Sequence, residues 1–382
     1  MVFLPENLKP FSSQEKVNKK LINASRELLN CHLFQLGANA KYSFAEVMKL
    51  FVDASIKHSS AEAICKKGNY PSADDAFLHI KDKTTIESIE SMMKIFISRR
   101  TLKLLHRKFP TLKYTLAIDF TPEPFYGDKN CEYVTGYEPK DGTYYCFKFM
   151  TVALVIQGIR FFLFSFPVYR GDDKILLINK VLNFLNAQWV KPDLVLIDRE
   201  FYETDMFALL REKKIEFIMP AKQDSHFERV LKQCKELPAV FQAYEISNSK
   251  HESEWIDLVI IEDNEHEETH IYGYVTNIPV SKYRDDILLL RDWYKQRWGI
   301  ETAHRVHDQF RIKTSCKEGN VRYFFFVIAM LLYNFWIYLN LLMNDCEIGN
   351  IFKIKITVEE FCSMLFDFFR INHRNFMIRI AM

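Results

Sequence analysis

The sequence predicts an α/β protein built around a mixed β-sheet, with a helical N-terminal region and a β-rich insertion. Three observations support this fold class. Helical patterns with capping signals fill residues 12–110, apolar β-rich runs follow from residue 114, and short alternating runs occupy residues 223–285. With 382 residues, of which 48% are hydrophobic and 26% charged, the chain is long enough for two or three domains and too apolar to be disordered.

Residues 1–110 are predicted to form a helical region. A serine or threonine followed three residues later by glutamate, the capping box that opens helices, occurs at Ser12, Ser43 and Thr84. A helix of about residues 60–67, a Gly-Asn-Tyr-Pro turn at 68–71 and a second helix from residue 72 have the spacing of a helix-turn-helix. Ordinary helical hairpins share this spacing, so DNA binding by this region and plain helical packing both remain open.

Charge is unevenly distributed, although the net charge is only +2. Basic residues are in excess in residues 1–110 and 291–382, and acidic residues in 199–290. This pattern favours a polyanionic partner at two surfaces, and ordinary variation between solvated faces is the alternative. In the last helix of the N-terminal region, Arg99 and Arg100 are candidate DNA contacts.

Two further features concern the compartment. The eight cysteines are scattered and form no Cys-x-x-Cys pair, which argues against a zinc site or a disulfide framework and favours the cytoplasm, at the nucleoid for a DNA-bound protein. Residues 323–343 carry no charge and are long enough to cross a bilayer, but they include tyrosines and asparagines at inner positions. We therefore expect a helix buried in the core and no membrane association.

From residue 114 the predicted elements describe a mixed sheet. The runs YTLAIDF, YCFKFMTVALVIQG and IRFFLFSFPVY are joined by short connections, which predicts an antiparallel meander. A helix at about 173–188, the strand DLVLID, a helix at about 203–213 and the strand IEFIMPA follow. Antiparallel strands that lead into β-α-β units fit an RNase H-like mixed sheet. The predicted organisation is a core in 111–222, a β-rich insertion in 223–285, a catalytic helix and the buried apolar helix in 286–345, and a helical tail in 346–382.

Two aspartates each follow an apolar strand. Asp119 ends TLAIDF, and Asp198 ends LVLID. At a strand end a carboxylate can reach a ligand while the strand holds its backbone rigid, as a metal site requires. Each aspartate alone could equally be a helix N-cap or a loop residue.

A third carboxylate lies on a predicted helix that begins near Tyr294. Tyr294, Arg297 and Glu301 have helical spacing and share one face. A carboxylate and a guanidinium opposite two strand-end acids could hold metal and phosphate together. Three carboxylates suit Mg²⁺ or Mn²⁺, which prefer oxygen ligands.

These segments together resemble a known family. LAIDFTPEPFYGD, LVLIDREFY and YKQRWGIE are similar to the three blocks of the DDE transposases of prokaryotic insertion sequences, in the insertion-sequence-four superfamily with its Y-R-E-K signature, near the archaeal members. The resemblance covers roughly residues 45–343. It implies that Asp119, Asp198 and Glu301 bind the catalytic metal, two Mg²⁺ or Mn²⁺ ions in that family, and that Tyr294 and Arg297 contact DNA.

The resemblance also implies an activity and partners. Transposases of this kind cleave DNA at the terminal repeats of their element and join the cut ends to target DNA, and a homodimer in the synaptic complex is expected. The sequence departs from the family where the signature lysine would stand, because that position is Asp308. Lys313, just beyond it, is a further candidate DNA contact.

Two other functions remain open from the sequence: an RNase H-like structure-specific endonuclease or resolvase, and a catalytically decayed DNA-binding remnant of a transposase. Asp308 favours the remnant, and an intact triad argues against it. Three other side chains were weaker candidates: His304 and His307 as a ligand pair, and Lys222 as a phosphate contact.

Overall fold

A computed structural model describes residues 23, 25, 33–36, 40–109, 113–140, 142–156, 159–248, 252–263, 270–344 and 352–380, without the side chains of 98–100, 140, 263 and 370–380. The predicted capping box at Ser12 and the side chains of Arg99 and Arg100 lie outside the described residues.

The N-terminal region is helical as predicted. Its helices are α1 Phe44–Ile56, α2 Ala61–Cys65, α3 Ala73–Lys83, α4 Ile86–Phe96 and, after a π-helical turn at Ile97–Leu102, α5 Lys103–Lys108. The capping box of Ser43 with Glu46 is confirmed. The predicted box at Thr84 is wrong by one residue: Thr85 caps α4 with Ser88, and the Thr84 hydroxyl donates instead to the Ile80 carbonyl at 2.6 Å. Thr85 is therefore the N-cap residue of α4.

Nine strands form one sheet in the described part of the chain. They are β1 Thr115–Pro124, β2 Val134–Lys140, β3 Thr143–Ile156, β4 Ile159–Val168, β5 Leu194–Ile197, β6 Glu216–Pro220, β7 Ala239–Ser247, β8 Ser253–Asp263 and β9 His270–Thr276. The strand order is β2-β3-β1-β5-β6-β9-β8-β7, and β4 also pairs with β3. Strands β2 and β4 share one edge of β3, because β2 pairs with its first residues and β4 with the remainder.

The predicted RNase H-like sheet is confirmed. Strands β1, β3 and β4 are an antiparallel meander, whereas β5 and β6 run parallel to β1. The crossovers are α6 Lys174–Ala187 before β5 and α7 Thr204–Glu212 before β6. Parallel strands need such helical crossovers, because a tight turn cannot reverse the chain twice. Strand β2 was not predicted, since its run VTGYEPK is too polar and contains glycine and proline.

The β-rich insertion extends the central sheet. Strands β7, β8 and β9 are antiparallel neighbours, and β9 joins β6 through the pairs of Ile218, Met219 and Pro220. A short helix, α8 Ser225–Leu231, precedes them and was not predicted. The insertion therefore adds three strands to the edge of the central sheet next to β6.

The C-terminal helices are α9 Leu288–Lys295, α10 Trp298–His307, α11 Gly319–Met343 and α12 Val358–Ile380. Helix α11 is the one helix in the described residues that is long and apolar enough to cross a membrane, and 89% of its most apolar window is buried in the protein. Asn334 of α11 exchanges two hydrogen bonds with the backbone of Phe162 in β4, at 2.9 and 2.7 Å. Both observations agree with the predicted core helix.

The N-terminal helices share this core. Phe51 of α1 is fully buried against Phe324 and Phe325 of α11, with ring centroids 5.4 and 5.3 Å apart. Phe77 of α3 contacts Phe325 in the same cluster. Residues 44–108 thus cover one face of α11, and their hydrophobic core is continuous with that of the sheet.

Candidate active site

Two aspartates meet where one strand stops beside another. Strand β5 ends at Ile197, which is level with Ile118 of β1, so the next residues, Asp119 and Asp198, emerge side by side. The sequence placed Asp119 at a strand end, but β1 continues to Pro124. The neighbouring strand β5 ends here instead, so in the described sheet β1 has no strand partner on that side from Asp119 onward.

Asp198 has two roles in the structure. Its Oδ1 accepts the backbone N–H of Glu200 at 3.2 Å and caps the 3-10 turn Arg199–Phe201, which is the helix-cap role that the sequence left open. Its Oδ2 lies 3.4 Å from Nη1 of Arg297. The cap fixes the backbone of Asp198 while the second oxygen faces the site.

Glu301 lies in the first turn of α10, after a break in the predicted helix. The sequence predicts one continuous helix from Tyr294, but α9 ends at Lys295 and α10 begins at Trp298. Arg160 of β4 is wedged against this break: it donates to the Gln296 carbonyl at 3.4 Å, and a Cβ at Gly299 would lie 1.8 Å from its Nε. A side chain at position 299 would require the Arg160 guanidinium to move. No local pattern in the sequence predicts this long-range contact.

Arg297, at the break, contacts all three carboxylates. Its Nη1 lies 3.4 Å from Oδ2 of Asp119 and 3.4 Å from Oδ2 of Asp198, and its Nη2 lies 3.3 Å from Oε1 of Glu301. Arg297 is only 7% exposed, and its guanidinium lies 5.6 Å from the ring centre of the buried Tyr294. The sequence-predicted triad and signature pair are therefore brought together around one cation.

The three carboxylates differ in exposure. The side chain of Asp119 is 20% exposed, that of Asp198 38% and that of Glu301 56%. Burial raises the pKa of Asp119 from 3.8 to about 6; Arg297 opposes this shift, and the negative charge of Asp198 adds to it. The positive charge of Arg297 alone therefore does not offset the cost of ionising the buried Asp119, and a further cation would favour its charged form.

The donor chemistry fits a hard divalent cation. Three carboxylates offer oxygen ligands, on a strand, a strand end and a helix. In the described part of the chain, no three Asp, Glu, His or Cys side chains are close enough to hold one metal ion. The triad spreads around the guanidinium, whose contacts of 3.3–3.4 Å exceed the usual 2.7–2.9 Å for charged pairs. Such loose contacts can be exchanged for other cations.

Behind the candidate site, a buried histidine joins helix α10 to the sheet. Nε2 of His304 lies 3.0 Å from Oγ1 of Thr121 and 3.2 Å from Oγ1 of Thr151, which in turn donates to the Asp119 carbonyl at 3.3 Å. Burial lowers the pKa of His304 to about 3, so its ring is neutral. His307 is also fully buried, with Nε2 3.1 Å from the Phe326 carbonyl.

These contacts overturn the histidine pair as a metal-ligand candidate, because both rings face the interior. The threonine link was missed from the sequence. Its one signal was Thr121, two residues after Asp119 on the same face of a strand.

The candidate DNA contacts differ in accessibility. Tyr294 is 5% exposed and packs against Tyr274, and Arg297 is held by the carboxylates, so neither presents a free surface. Lys313 is exposed. Lys222 donates to the Tyr202 carbonyl at 2.9 Å, a bond that holds the loop after β6.

The helix-turn-helix candidate is formed by α2 and α3. Ser60 and Ser72 cap these helices, as their spacing predicts. The exposed first turn of α3 carries Asp74 and Asp75. Carboxylates stabilise a helix N-terminus but repel phosphates, and recognition helices use this turn to reach bases. This geometry favours a packing role for α3.

Comparisons with known proteins bear on the fold and the family of the chain. The chain is similar in structure to a piggyBac transposase, solved by cryo-electron microscopy as a synaptic complex with hairpin DNA; the TM-score is 0.53 and 12% of residues are identical. The match covers 92% of this chain and 77% of that one, and at this identity it speaks for the fold alone. No curated protein sequence matches.

A protein-family model gives the more direct result. The model described as the transposase DDE domain matches residues 113–335. This range is more than half of the chain, and it runs from the start of β1 to the middle of α11, with all three acids inside it. The chain therefore belongs to the family of DDE transposases.

Proposed function

We propose that this transposase cleaves DNA at the ends of an insertion sequence and joins the cut ends to target DNA, in a reaction that depends on Mg²⁺ or Mn²⁺. One observation carries the proposal: Asp119, Asp198 and Glu301, from three separate elements, converge on the same guanidinium within 3.3–3.4 Å. The innermost of these acids, Asp119, is costly to ionise in its buried position, and such perturbed groups concentrate at functional sites.

Asp119, Asp198 and Glu301 would hold the metal. Two divalent ions bound there would activate water or a 3′-hydroxyl for in-line attack on the scissile phosphate and stabilise the leaving oxygen. Asp119 lies innermost and next to Asp198, so it is the residue best placed to serve both ions. Arg297, once released from the carboxylates, could donate two parallel hydrogen bonds to a phosphate.

The subgroup is proposed from the signature residues. Tyr294, Arg297 and Glu301 have the spacing of the Y-R-E-K group of the insertion-sequence-four superfamily, near its archaeal members, and the first two are in contact. Asp308 in place of the signature lysine removes one cation from the DNA path.

The partners proposed are the terminal repeats, target DNA and a second copy of the chain in a synaptic dimer. The excess of basic residues in 1–110 and 291–382 supports a polyanionic partner. The structurally similar piggyBac protein was solved as a synaptic complex with DNA. The cytoplasm, at the nucleoid, is the compartment proposed for such a DNA-bound protein.

The test is cleavage of labelled duplexes that carry the ends of the element, with Mn²⁺ and a target plasmid. Asp119→Asn, Asp198→Asn and Glu301→Gln should each reduce cleavage by on the order of 10³-fold or more, because each removes a metal ligand. DNA binding in EDTA should stay near wild type, since affinity comes mainly from lysine and arginine. Glu236→Gln, an exposed acid outside the site, is the control.

The outcomes separate the three candidate functions. A transposase yields cut ends joined to the plasmid. A resolvase cuts branched DNA and joins nothing, and a decayed remnant binds ends without cutting them. Wild-type cleavage rates in Asp198→Asn would overturn the assignment of the triad.

A further inference from the structure

A cleft of about 730 Å³ lies beyond the triad, between the end of β1, the segment that follows α10 and the start of α11. Its lining includes Glu123 and Tyr126 from the β1 side, Arg311 and Lys313 from the segment after α10, and Arg322 of α11. None of these residues belongs to the triad or to the Tyr294–Arg297 pair.

The cleft continues the path that starts at the triad. Strand β1 and helix α10 run side by side: Asp119 and Glu301 face the same guanidinium, and Thr121 contacts His304 at 3.0 Å further along. Glu123 follows Asp119 by four residues, which is about 13 Å along a strand. The seven residues from Glu301 to the end of α10 span about 10 Å. The cleft therefore lies about 10–13 Å from the triad, which corresponds to roughly three or four base pairs of duplex DNA.

A buried carboxylate holds two arginines in the cleft wall. Glu123 is 5% exposed, and its Oε1 and Oε2 lie 2.7 Å from Arg311 and 3.7 Å from Arg322. Arg322 also donates to the Cys316 carbonyl at 2.6 Å and stacks on Phe147. Two guanidiniums share this carboxylate, and Asp308 also lies beside Arg311, so these four side chains are balanced in charge. The net positive charge of the cleft lining therefore comes from Lys313 and Lys317.

Asp308 lies at the rim of the same cleft. Its Oδ1 is 3.4 Å from Nη1 of Arg311, so Arg311 links the two acids of the cleft, Glu123 and Asp308. Asp308, which replaces the signature lysine, is thereby paired with Arg311, three residues later in the chain.

Two lysines add positive charge and form no ion pair with an acid in the described part of the chain. After the 3-10 turn Asp308–Phe310 the chain becomes extended, with φ −74° and ψ 133° at Arg311. In an extended chain alternate side chains share one side, and here Lys313 and Lys317 are exposed while Ile312 is buried. Neither ammonium group forms an ion pair with a described acid, so both are available to a ligand.

We propose that this cleft binds the sugar–phosphate backbone of the DNA strand next to the cleavage point, with Lys313 and Lys317 contacting phosphates and Arg311 and Arg322 lining the floor. The cations of the extended segment thus take over the contact that Asp308 cannot make. The inference rests on the proposed function, since it needs DNA at the triad. Tyr126, 70% exposed at the mouth, offers a ring to a nucleotide base.

The experiment measures affinity of the full chain for a 30-base-pair duplex in EDTA across a chloride series. Each phosphate contact contributes about 0.9 to the slope of log K against log salt. Lys313→Gln and Lys317→Gln should each lower the slope by about one, and the double variant by about two. Asp308→Lys should raise it by about one, because it restores a cation at the rim.

Lys191→Gln is the matched control. Lys191 is exposed and precedes β5, at the opposite end of that strand from Asp198. The salt dependence of DNA binding by Lys191→Gln should have the same slope as that of wild type. A double variant whose slope equals that of Lys191→Gln would overturn the proposal, as would an affinity loss that is independent of salt. The readout needs no cleavage, so a chain that binds through the cleft yet cuts nothing would refute the proposed reaction and leave the cleft assignment standing.

Discussion

Arg297 supplies one positive charge to three carboxylates, so the site carries an unbalanced negative charge. The consequence falls on Asp119, the most buried acid, whose pKa is raised to about 6 by burial, against the attraction of Arg297. A carboxyl whose folded-state pKa is raised costs stability as pH rises from its unfolded pKa to its folded one. Here the window is from 3.8 to about 6.

The stability of the Asp119→Asn variant follows from this sign. Above pH 6 the wild-type carboxylate is charged and penalised, so the variant should be more stable by on the order of 1 kcal/mol in EDTA. Near pH 4 the wild-type group is largely protonated and the difference should shrink. Urea unfolding at pH 4.5 and pH 7.5 measures it, with the exposed Asp82→Asn as control. A variant that is less stable than wild type at pH 7.5 would mean that the attraction of Arg297 outweighs burial.

At the scale of elements, α11 is held in place by polar contacts in an apolar setting. Asn334 is 4% exposed and satisfies both the N–H and the carbonyl of Phe162. The register of β3 with β4 shifts at this level, between Val152 and Ala153, so that Leu163 is skipped while Phe162 pairs with Ala153. Strand β4 pairs with β3 alone in the described sheet, and Asn334 hydrogen-bonds to the Phe162 backbone beside this bulge.

Asn334→Leu should destabilise the protein although it makes α11 more apolar. The change leaves two buried backbone groups unpaired, at about 1–3 kcal/mol for each. Met330→Leu, equally buried on the same helix, conserves volume and should cost less than about 1.5 kcal/mol. Chemical unfolding of both variants decides the matter: equal stability would show that Phe162 finds other partners.

The sequence predicted the elements whose signals are local. Strands β1, β5 and β6 contain short apolar runs, and α11 is predominantly apolar without a charge from residue 323 to 343, so their hydrophobic pattern indicates them. The sequence did not indicate the break between α9 and α10, where Arg160, distant in sequence, lies against Gln296 and Gly299. The cap at Thr85 was missed by one residue for a local reason, since Thr84 bonds back to Ile80, four residues earlier.

The same distinction applies to the candidate site. Asp119, Asp198 and Glu301 were found from residue type and position beside strands and helix. The bridging contacts of Arg297 were not, because they need the helix break and the register of β1 with β5. Among the cations of the extended segment, the sequence indicated Lys313 as a DNA contact but not Lys317, which lies beyond the helix predicted from Tyr294.

At the scale of the whole molecule, the N-terminal helices and the sheet share a hydrophobic core. The sequence predicted a DNA-binding region in 1–110, and there α1 and α3 bury aromatic side chains against α11, which lies against β4. One cluster of buried residues includes both Phe51 and Phe369, and a second includes Leu196 and Ile218. We interpret the shared core as a single cooperative unit. Disruption of α1 should therefore be felt at the active site.

Phe51→Ala tests this unity, because the five tryptophans all lie outside residues 44–109. The change removes a fully buried ring from the contact with Phe324 and should cost about 3–5 kcal/mol. In a single cooperative unit, the tryptophan fluorescence transition must move to lower urea together with the loss of helical circular dichroism. Leu78→Ala, at an exposed position of α3, should move neither. If circular dichroism shifted while fluorescence kept its wild-type midpoint, the N-terminal helices would unfold on their own, and the single-unit interpretation would fail.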